Sequence, residues 1–186
     1  MKSTIKSILL FCVLAVSLTS CETYSDPKVE ISPIYPLSGE WRVRITNLTT
    51  GVMVSTTAMY TLGTFNTSDN VANQMWVRAT SAIPTFITTG TTPKTVLSKI
   101  TCDVPSLTFS TTGVVQNINT TTAAVLDTIA ITEGKITLNS VVMPSGVSSD
   151  RISFKLTKTK AAGNTFFVEG YRRTRWAEDE TFITFK

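Results

Sequence analysis

A regular alternation of apolar and polar residues is the feature that most limits how this chain can fold. In Trp41-Arg42-Val43-Arg44-Ile45 the apolar residues occupy every second position, and two arginines lie between them. This period of two places alternate side chains on opposite faces of a β-strand and marks a strand with one buried face. Arg151–Leu156 repeats the pattern, with Ile152, Phe154 and Leu156 on its apolar face. Both segments therefore predict half-buried strands.

Further segments rich in Thr, Val and Ile are separated by turn residues at roughly ten-residue intervals, which is typical of an all-β fold. The other predicted strands are Val52–Leu62, Gln74–Thr80, Ser98–Asp103, Leu107–Ser110, Val125–Thr132, Lys135–Val141, Thr165–Arg172 and Phe182–Phe185. Glu133-Gly134 predicts a tight hairpin between two of these strands, and Pro144-Ser145-Gly146 predicts a second turn. Asn66–Asn70 and Thr88–Pro93 are predicted loops, and no long helical pattern follows residue 20.

Eight to ten strands, joined mostly as hairpins, can bury their apolar faces in two ways. One is an antiparallel up-and-down β-barrel of about eight strands, in which closure removes the exposed sheet edges. The other is a two-sheet β-sandwich, which the same alternation also fits. In Ser98–Asp103 the inward set is Ser98, Ile100 and Cys102, so Cys102 is predicted to be a small buried apolar residue.

The N-terminus has the three parts of a secretory signal in order. Lys2 and Lys6 supply a basic start, Ile8–Val16 is a short apolar run, and Leu18-Thr19-Ser20-Cys21 follows. The last four residues resemble the lipobox of bacterial lipoproteins, in which the cysteine carries lipid; an ordinary signal peptide with a chance cysteine is the alternative. The predicted organisation is a signal peptide over residues 1–20, a lipidated tether over 21–36 and one barrel domain over 37–186.

Charge and composition exclude several classes of function. Removal of residues 1–20 takes away Lys2 and Lys6, so the net charge falls from +4 to +2 and a nucleic-acid-binding role loses its support. The chain has no histidine, which excludes Ser-His-Asp triads, Cys-His dyads and His-based metal sites. Cys102 has no partner for a disulfide once Cys12 leaves with the signal and Cys21 is lipidated. No cofactor and no metal are predicted.

The densest charge in the chain lies in Gly170–Glu180, whose sequence is GYRRTRWAEDE. A basic nucleic-acid patch is disfavoured because three acids follow the arginines directly. The three acids, Glu178, Asp179 and Glu180, could act as general acid and base. The favoured interpretation is a solvated turn in which one acid forms an ion pair with Arg173 or Arg175.

Several segments taken together resemble a known family. They are Ser38-Gly39-Glu40-Trp41, Gln74-Met75-Trp76-Val77, Ser106–Ser110, Glu133-Gly134-Lys135-Ile136, Met143-Pro144-Ser145-Gly146 and GYRRT…EDE. In this order they resemble the Bacteroidetes lipid-binding putative hydrolases, a family with a calycin-like barrel. The Thr-rich segments 80–95 and 111–128 do not match the family's pattern. The resemblance implies a lipid or other apolar ligand, and it brings no set of catalytic residues.

The calycin resemblance also implies a contact that closes one end of the barrel. In calycins a Gly-x-Trp opens the first strand, here Gly39 and Trp41, and an arginine from the last strand lies over the tryptophan ring. If Glu169 faces water, Phe166, Val168, Gly170 and Arg172 point inward, while Phe167, Tyr171 and Arg173 point outward. Arg172 is therefore the predicted partner of Trp41. Arg173 is the runner-up, because a bulge after Gly170 would exchange the two.

A ligand cavity lined by aromatic side chains is the functional prediction. The candidate ligand contacts are Tyr60, Trp76, Phe86, Phe109, Phe154 and Phe166. Trp76 shares its face with Gln74 and Arg78, so it lies either outside the barrel or at a polar-rimmed pocket. The predicted protein is an outer-membrane lipoprotein of the cell envelope that binds a lipid-like small molecule without catalysis. The alternatives are an interaction module that contacts protein partners in a surface complex, and a carboxylate-based hydrolase.

Overall fold

A computed structural model of the chain describes residues 30–79, 95–159, 163–181 and 185. The predicted signal peptide, Cys21, the loop Thr88–Pro93 and Phe86 lie outside these residues. One compact unit runs from Ser32 to Lys186. It begins five residues before the predicted boundary at Leu37, because Ile34 is fully buried in the core. None of the described residues forms a helix long and apolar enough to cross a membrane.

The described residues form ten strands and contain no α-helix. The strands are β1 (Gly39–Asn47), β2 (Val52–Met53), β3 (Tyr60–Asn66), β4 (Gln74–Ala79), β5 (Val96–Asp103), β6 (Thr108–Ser110), β7 (Val115–Asn119), β8 (Val125–Val142), β9 (Ser148–Lys158) and β10 (Thr165–Arg172). Short 3-10 turns at Tyr35–Leu37 and Ala177–Glu180 flank the sheet. Most predicted strands are present.

All ten strands belong to one antiparallel sheet that closes on itself. The sheet order is β10-β9-β8-β6-β5-β4-β3-β1-β2, and β10 also pairs with β1. The closing ladder runs from Trp41 opposite Arg172 to Asn47 opposite Phe166. Eight strands complete the ring, while β2 and β7 are additional. This arrangement confirms the calycin-like barrel and is not the two-sheet sandwich.

The predicted alternation correctly identifies the barrel core. Trp41, Val43 and Ile45 of β1 are fully buried, as are the three inward residues of β9. On β5 the inward residues are buried too, including the free thiol of Cys102. Burial, with a smaller contribution from the neighbouring charge of Asp103, raises the pKa of the Cys102 thiol to about 11. The thiol is therefore protonated at neutral pH and packs as an apolar side chain.

The predicted hairpin at Glu133-Gly134 is wrong. Residues 125–142 form one strand of 18 residues, and its register with β9 shifts between Thr132 and Lys135, so that two residues oppose one. Glu133 has a left-handed φ of 55°, and its carboxylate forms an ion pair with Lys155 at 2.6 Å. The segment is therefore a β-bulge, which requires the same local backbone freedom as a turn but leaves the strand direction unchanged.

The strand predicted over Val52–Leu62 is correct only at its two ends. β2 and β3 both pair with β1, and the Val54 amide still donates to the Ile45 carbonyl at 2.9 Å, but residues 55–59 leave the ladder between them. The excursion ends at Met59, which packs with Tyr171 and Met143 in a second apolar cluster. Phe185, the one described residue of the predicted strand Phe182–Phe185, is not in a strand.

Replacing Gly134 with Ala should lower the free energy of unfolding by about 3 kcal/mol or more, because overpacking against backbone cannot relax easily. A Cβ at this position would lie 2.2 Å from the Phe109 carbonyl oxygen and 2.4 Å from its ring. Gly51→Ala is the matched control: its φ is +71° and no atom lies within 4 Å, so only the left-handed penalty of about 1 kcal/mol is expected. Urea denaturation measures both changes. Equal losses would contradict the steric role of Gly134.

Candidate functional site

One end of the barrel is sealed by Arg172 and Trp41. The Arg172 guanidinium carbon lies 4.8 Å from the centre of the Trp41 ring, within the range of a cation–π contact. Trp41 Nε1 donates a hydrogen bond to Thr64 Oγ1 at 2.8 Å, and that hydroxyl donates to the Leu37 carbonyl at 2.6 Å. One face and the polar edge of the indole are thereby held at this end of the barrel, which we call the sealed end.

The same guanidinium fixes the chain that leads into β1. Arg172 donates to the carbonyl oxygen atoms of Ser38 and Pro36, the latter at 2.9 Å, and its Nε lies 2.9 Å from the Asp150 carboxylate. A Cβ on residue 39 would lie 3.2 Å from the guanidinium, which explains why a glycine stands two residues before Trp41. Charged hydrogen bonds of this kind stabilise more than neutral ones.

Arg173, Arg175 and Glu180 form ion pairs on the outside of the sealed end. Arg173 contacts Glu180 at 2.5 Å and Glu40 at 2.8 Å, and Arg175 contacts Glu40 at 2.6 Å. Hydrogen bonds from Arg173 to these two carboxylates raise its pKa. The arginines are thus paired with acids and do not form a basic surface patch.

Two acids, Glu169 and Asp179, are buried although they were predicted to be exposed to solvent. Glu169, expected to face water, is only 6% exposed and lies between Arg44 at 2.5 Å and Arg151 at 2.6 Å. The ring of Phe185 covers the same two guanidinium groups at 4.9 and 5.3 Å. Tyr171 is fully buried as well, because this part of the outer barrel wall carries a second layer of chain.

Asp179 is 1% exposed, so the predicted solvated turn is wrong at this residue. Its carboxylate accepts hydrogen bonds from the Ser145 backbone at 2.9 Å, the Ser145 hydroxyl at 2.8 Å and the Thr174 hydroxyl at 2.6 Å. Desolvation acts to raise the pKa of Asp179, but these hydrogen bonds outweigh it and the pKa lies below its ordinary value. Asp179 fastens the β8–β9 hairpin to the C-terminal segment.

The predicted aromatic contacts are divided between the interior and the outer wall. Phe109 and Phe154 are buried and pack edge to face at 5.6 Å, and Phe166 is buried further along the interior. Trp76 lies on the outer face of β4, since Met75 and Val77 on either side of it point inward. Tyr60 is partly buried against the core. The five candidates that the structure describes therefore do not line a single cavity.

Polar side chains collect inside the barrel at the end opposite Trp41 and Arg172, where β7 and β9 end and β5 and β8 begin. This mouth cluster consists of Ser98, Asn117, Asn119, Asp127 and Lys158. The first four are buried, with Asp127 4% exposed, and Ser98 Oγ donates to Asn117 Oδ1 at 3.3 Å. Lys158 shares the inward face of Leu156 and Phe154 and is half-buried.

The charges of Asp127 and Lys158 interact within the mouth cluster. Burial lowers the pKa of the Lys158 amine, and the negative charge of Asp127 partly opposes this. Sequence reasoning missed these residues, although the alternation places Asp127 on the face of Ile129 and Lys158 on that of Leu156. No cluster of His, Cys, Asp and Glu among the described residues could hold a metal ion.

Arg172→Ala should lower the free energy of unfolding by about 3 kcal/mol, from the lost cation–π contact and the lost charged hydrogen bonds. Arg42→Ala would be a poor comparison, because Arg42 donates a hydrogen bond to Thr61 at 3.0 Å and lies 3.4 Å from Glu180. Arg175→Ala is a better control, because its side chain is 73% exposed and a single exposed ion pair contributes less than about 1 kcal/mol. Thermal unfolding of both variants measures the difference, and equal shifts would exclude a sealing role.

Comparison with known proteins agrees with the motifs and the barrel. The model of the family described as lipid-binding putative hydrolase matches residues 26–177, which include every strand of the barrel. No curated protein matches the chain. The match confirms the family resemblance, and it covers the Gly-x-Trp and GYRRT segments; the EDE segment, Glu178–Glu180, lies just beyond the matched residues. The chain belongs to the lipid-binding putative hydrolase family.

Proposed function

We propose that this protein is a membrane-anchored lipoprotein that binds an apolar or amphipathic, lipid-like molecule in the mouth half of its barrel. The observation that carries the proposal is the mouth cluster, which places buried polar groups inside an otherwise apolar barrel. Ligand sites are mostly apolar, with a few polar groups that orient the ligand. A ligand with a polar group and an apolar chain complements both parts of this interior.

The sealed end leaves the mouth as the point of entry. Trp41 and Arg172 close that end. The buried Phe109–Phe154 pair lies in the barrel interior between the sealed end and the mouth cluster. A small barrel either fills with side chains or holds one small ligand. The proposed ligand therefore lies with its polar group at the mouth cluster and its chain along the neighbouring apolar wall.

Lys158 and Asp127 give the site its polarity. The lowered pKa of Lys158 reflects an amine that burial has partly removed from water, and Asp127 lies close enough to favour its charged form. A carboxylate, phosphate or hydroxyl group on the ligand would accept a hydrogen bond from the charged amine. Hydrogen bonds to charged groups contribute more than those between neutral groups.

Lys158→Met should reduce the amount of lipid-like ligand that purifies with the protein by about 10-fold, the factor expected for one charged hydrogen bond. Native mass spectrometry and solvent extraction of the purified protein measure this amount. Lys155→Met is the matched control, because Lys155 lies on the outer face of the same strand and binds Glu133. An absence of ligand in the unsubstituted protein, or equal loss in both variants, would contradict the proposal.

Attachment to the outer membrane through Cys21 is part of the same proposal, and it rests on the lipobox-like Leu18-Thr19-Ser20-Cys21. A multiply acylated cysteine anchors a protein stably, since each buried CH₂ contributes about 0.8 kcal/mol. Cys21→Ser should move the protein from the membrane to the soluble fraction. Cys12→Ser, in the predicted signal peptide, should leave it in the membrane. Immunoblots of density-separated membranes report both results, and membrane retention of Cys21→Ser would refute the anchor.

The hydrolase alternative receives less support from the carboxylates at the sealed end. Glu40 and Glu180 converge there, but both form ion pairs with Arg173. Asp179 is engaged by Ser145 and Thr174. Neither arrangement offers a carboxylate poised to exchange a proton with a substrate.

A further inference from the structure

The barrel wall is interrupted between β5 and its neighbours β6 and β7. β5 pairs with β7 at Val96 and Leu97, and it pairs with β6 only from Thr101 onward. Residues 111–114 leave the ladder between β6 and β7, so the intervening residues of β5 face no strand on that side. Here the wall contains an opening of about 190 Å³, termed the wall cleft. Its lining residues are Gln74, Lys99, Ile100, Thr101, Thr111, Thr112 and Val115.

The backbone of Lys99 points into the wall cleft. The Thr95 carbonyl accepts a hydrogen bond from the Thr120 amide at 3.0 Å, so residue 95 directs its backbone groups towards the β7 side. These directions alternate along an antiparallel strand, which gives residues 97, 99 and 101 the same orientation. The Cys102 amide, which donates to Asn73 on the other side at 3.0 Å, fits this alternation. The N–H and C=O of Lys99 therefore face the opening.

Gln74 provides a second, independent feature of the wall cleft. Its Oε1 atom is buried and has no hydrogen-bond partner. Buried polar atoms in native proteins almost always have a partner, and an exception calls for an explanation. Gln74 also lines the wall cleft, whose apolar lining residues are Ile100 and Val115. An acceptor, a backbone donor and an apolar surface thus meet at one opening.

We propose that the wall cleft binds a secondary amide group attached to a short apolar chain. The ligand N–H would donate to Gln74 Oε1, its carbonyl would accept from the Lys99 amide, and its apolar part would contact Ile100 and Val115. The volume is below the roughly 300–1,000 Å³ of sites for drug-sized ligands, so one amide with a short chain is the appropriate size. An N-acylated lipid and an extended peptide both present this chemistry. The site is separate from the mouth cluster and does not depend on it.

The test uses the full-length, ¹⁵N-labelled protein titrated with N-butylacetamide in one arm and with acetyl-valyl-valine methylamide in the other. Binding should produce a saturable downfield shift of the Lys99 amide proton with at least one probe. Tighter binding of the alkyl amide indicates a lipid source, and tighter binding of the peptide indicates a peptide source. Butyl acetate, which lacks the N–H, should bind at least about 10-fold more weakly than N-butylacetamide. No saturable shift with either amide would overturn the proposal.

Gln74→Met separates binding from stability. It removes the acceptor while keeping the length of the side chain, so amide affinity should fall about 10-fold while the melting temperature stays equal or rises. Gln116→Met is the matched control, because it makes the same change at an exposed glutamine of β7. Val115→Phe should also block the probes, by filling the opening. A lower melting temperature for Gln74→Met, or unchanged affinity, would contradict the assignment. None of these outcomes bears on the ligand proposed for the mouth cluster, so the two proposals can fail separately.

Discussion

The contact between Arg172 and Trp41 is the interaction on which the closed barrel depends. The two residues are partners in the ladder that joins the last strand to the first, so their stacking stabilises the pairing that removes both sheet edges. The same guanidinium also binds the Pro36 carbonyl and the Asp150 carboxylate. One side chain thus connects the entering chain, the first strand and the β8–β9 hairpin, which a lysine could not do with a single point charge.

Sealing one end by a charged side chain explains why so many acids lie on the outside of that end. A guanidinium that is largely removed from water needs partners, and Asp150 supplies one. Arg173 alternates to the outer face and is paired by Glu40 and Glu180 instead. The charge density of Gly170–Glu180 is therefore a consequence of closing the barrel and fastening the C-terminal segment.

The strands of the barrel could be predicted from the sequence, because a strand with one buried face needs an apolar residue at every second position. This pattern can be recognised within a single short segment. The bulge at Glu133-Gly134 could not be predicted, because a bulge and a hairpin require the same residue types, and only the partner strand distinguishes them. Glu169 and Asp179 were misplaced for another reason. Additional chain segments cover part of the outer wall of the barrel. The alternation of apolar and polar residues predicts which face of a strand a residue occupies, but it does not predict what covers that face. Asp127 and Lys158 were within reach of the parity argument, since each lies two residues from an inward neighbour, Ile129 and Leu156 respectively.

Four buried side-chain atoms among the described residues lack a hydrogen-bond partner: Arg42 Nε, Thr67 Oγ1, Gln74 Oε1 and Arg172 Nε. At the sealed end the buried carboxylate of Asp179 accepts three hydrogen bonds, and Glu169 lies between two guanidinium groups. In the wall, by contrast, Gln74 keeps a buried acceptor without a partner. Of the other unpartnered atoms, Arg42 Nε lies 3.4 Å from Glu180 and Arg172 Nε lies 2.9 Å from Asp150, so a carboxylate stands beside each guanidinium group. Gln74 instead lines the wall cleft. Local rules are most often broken where a site must remain open to another molecule, and this agrees with the amide site proposed there.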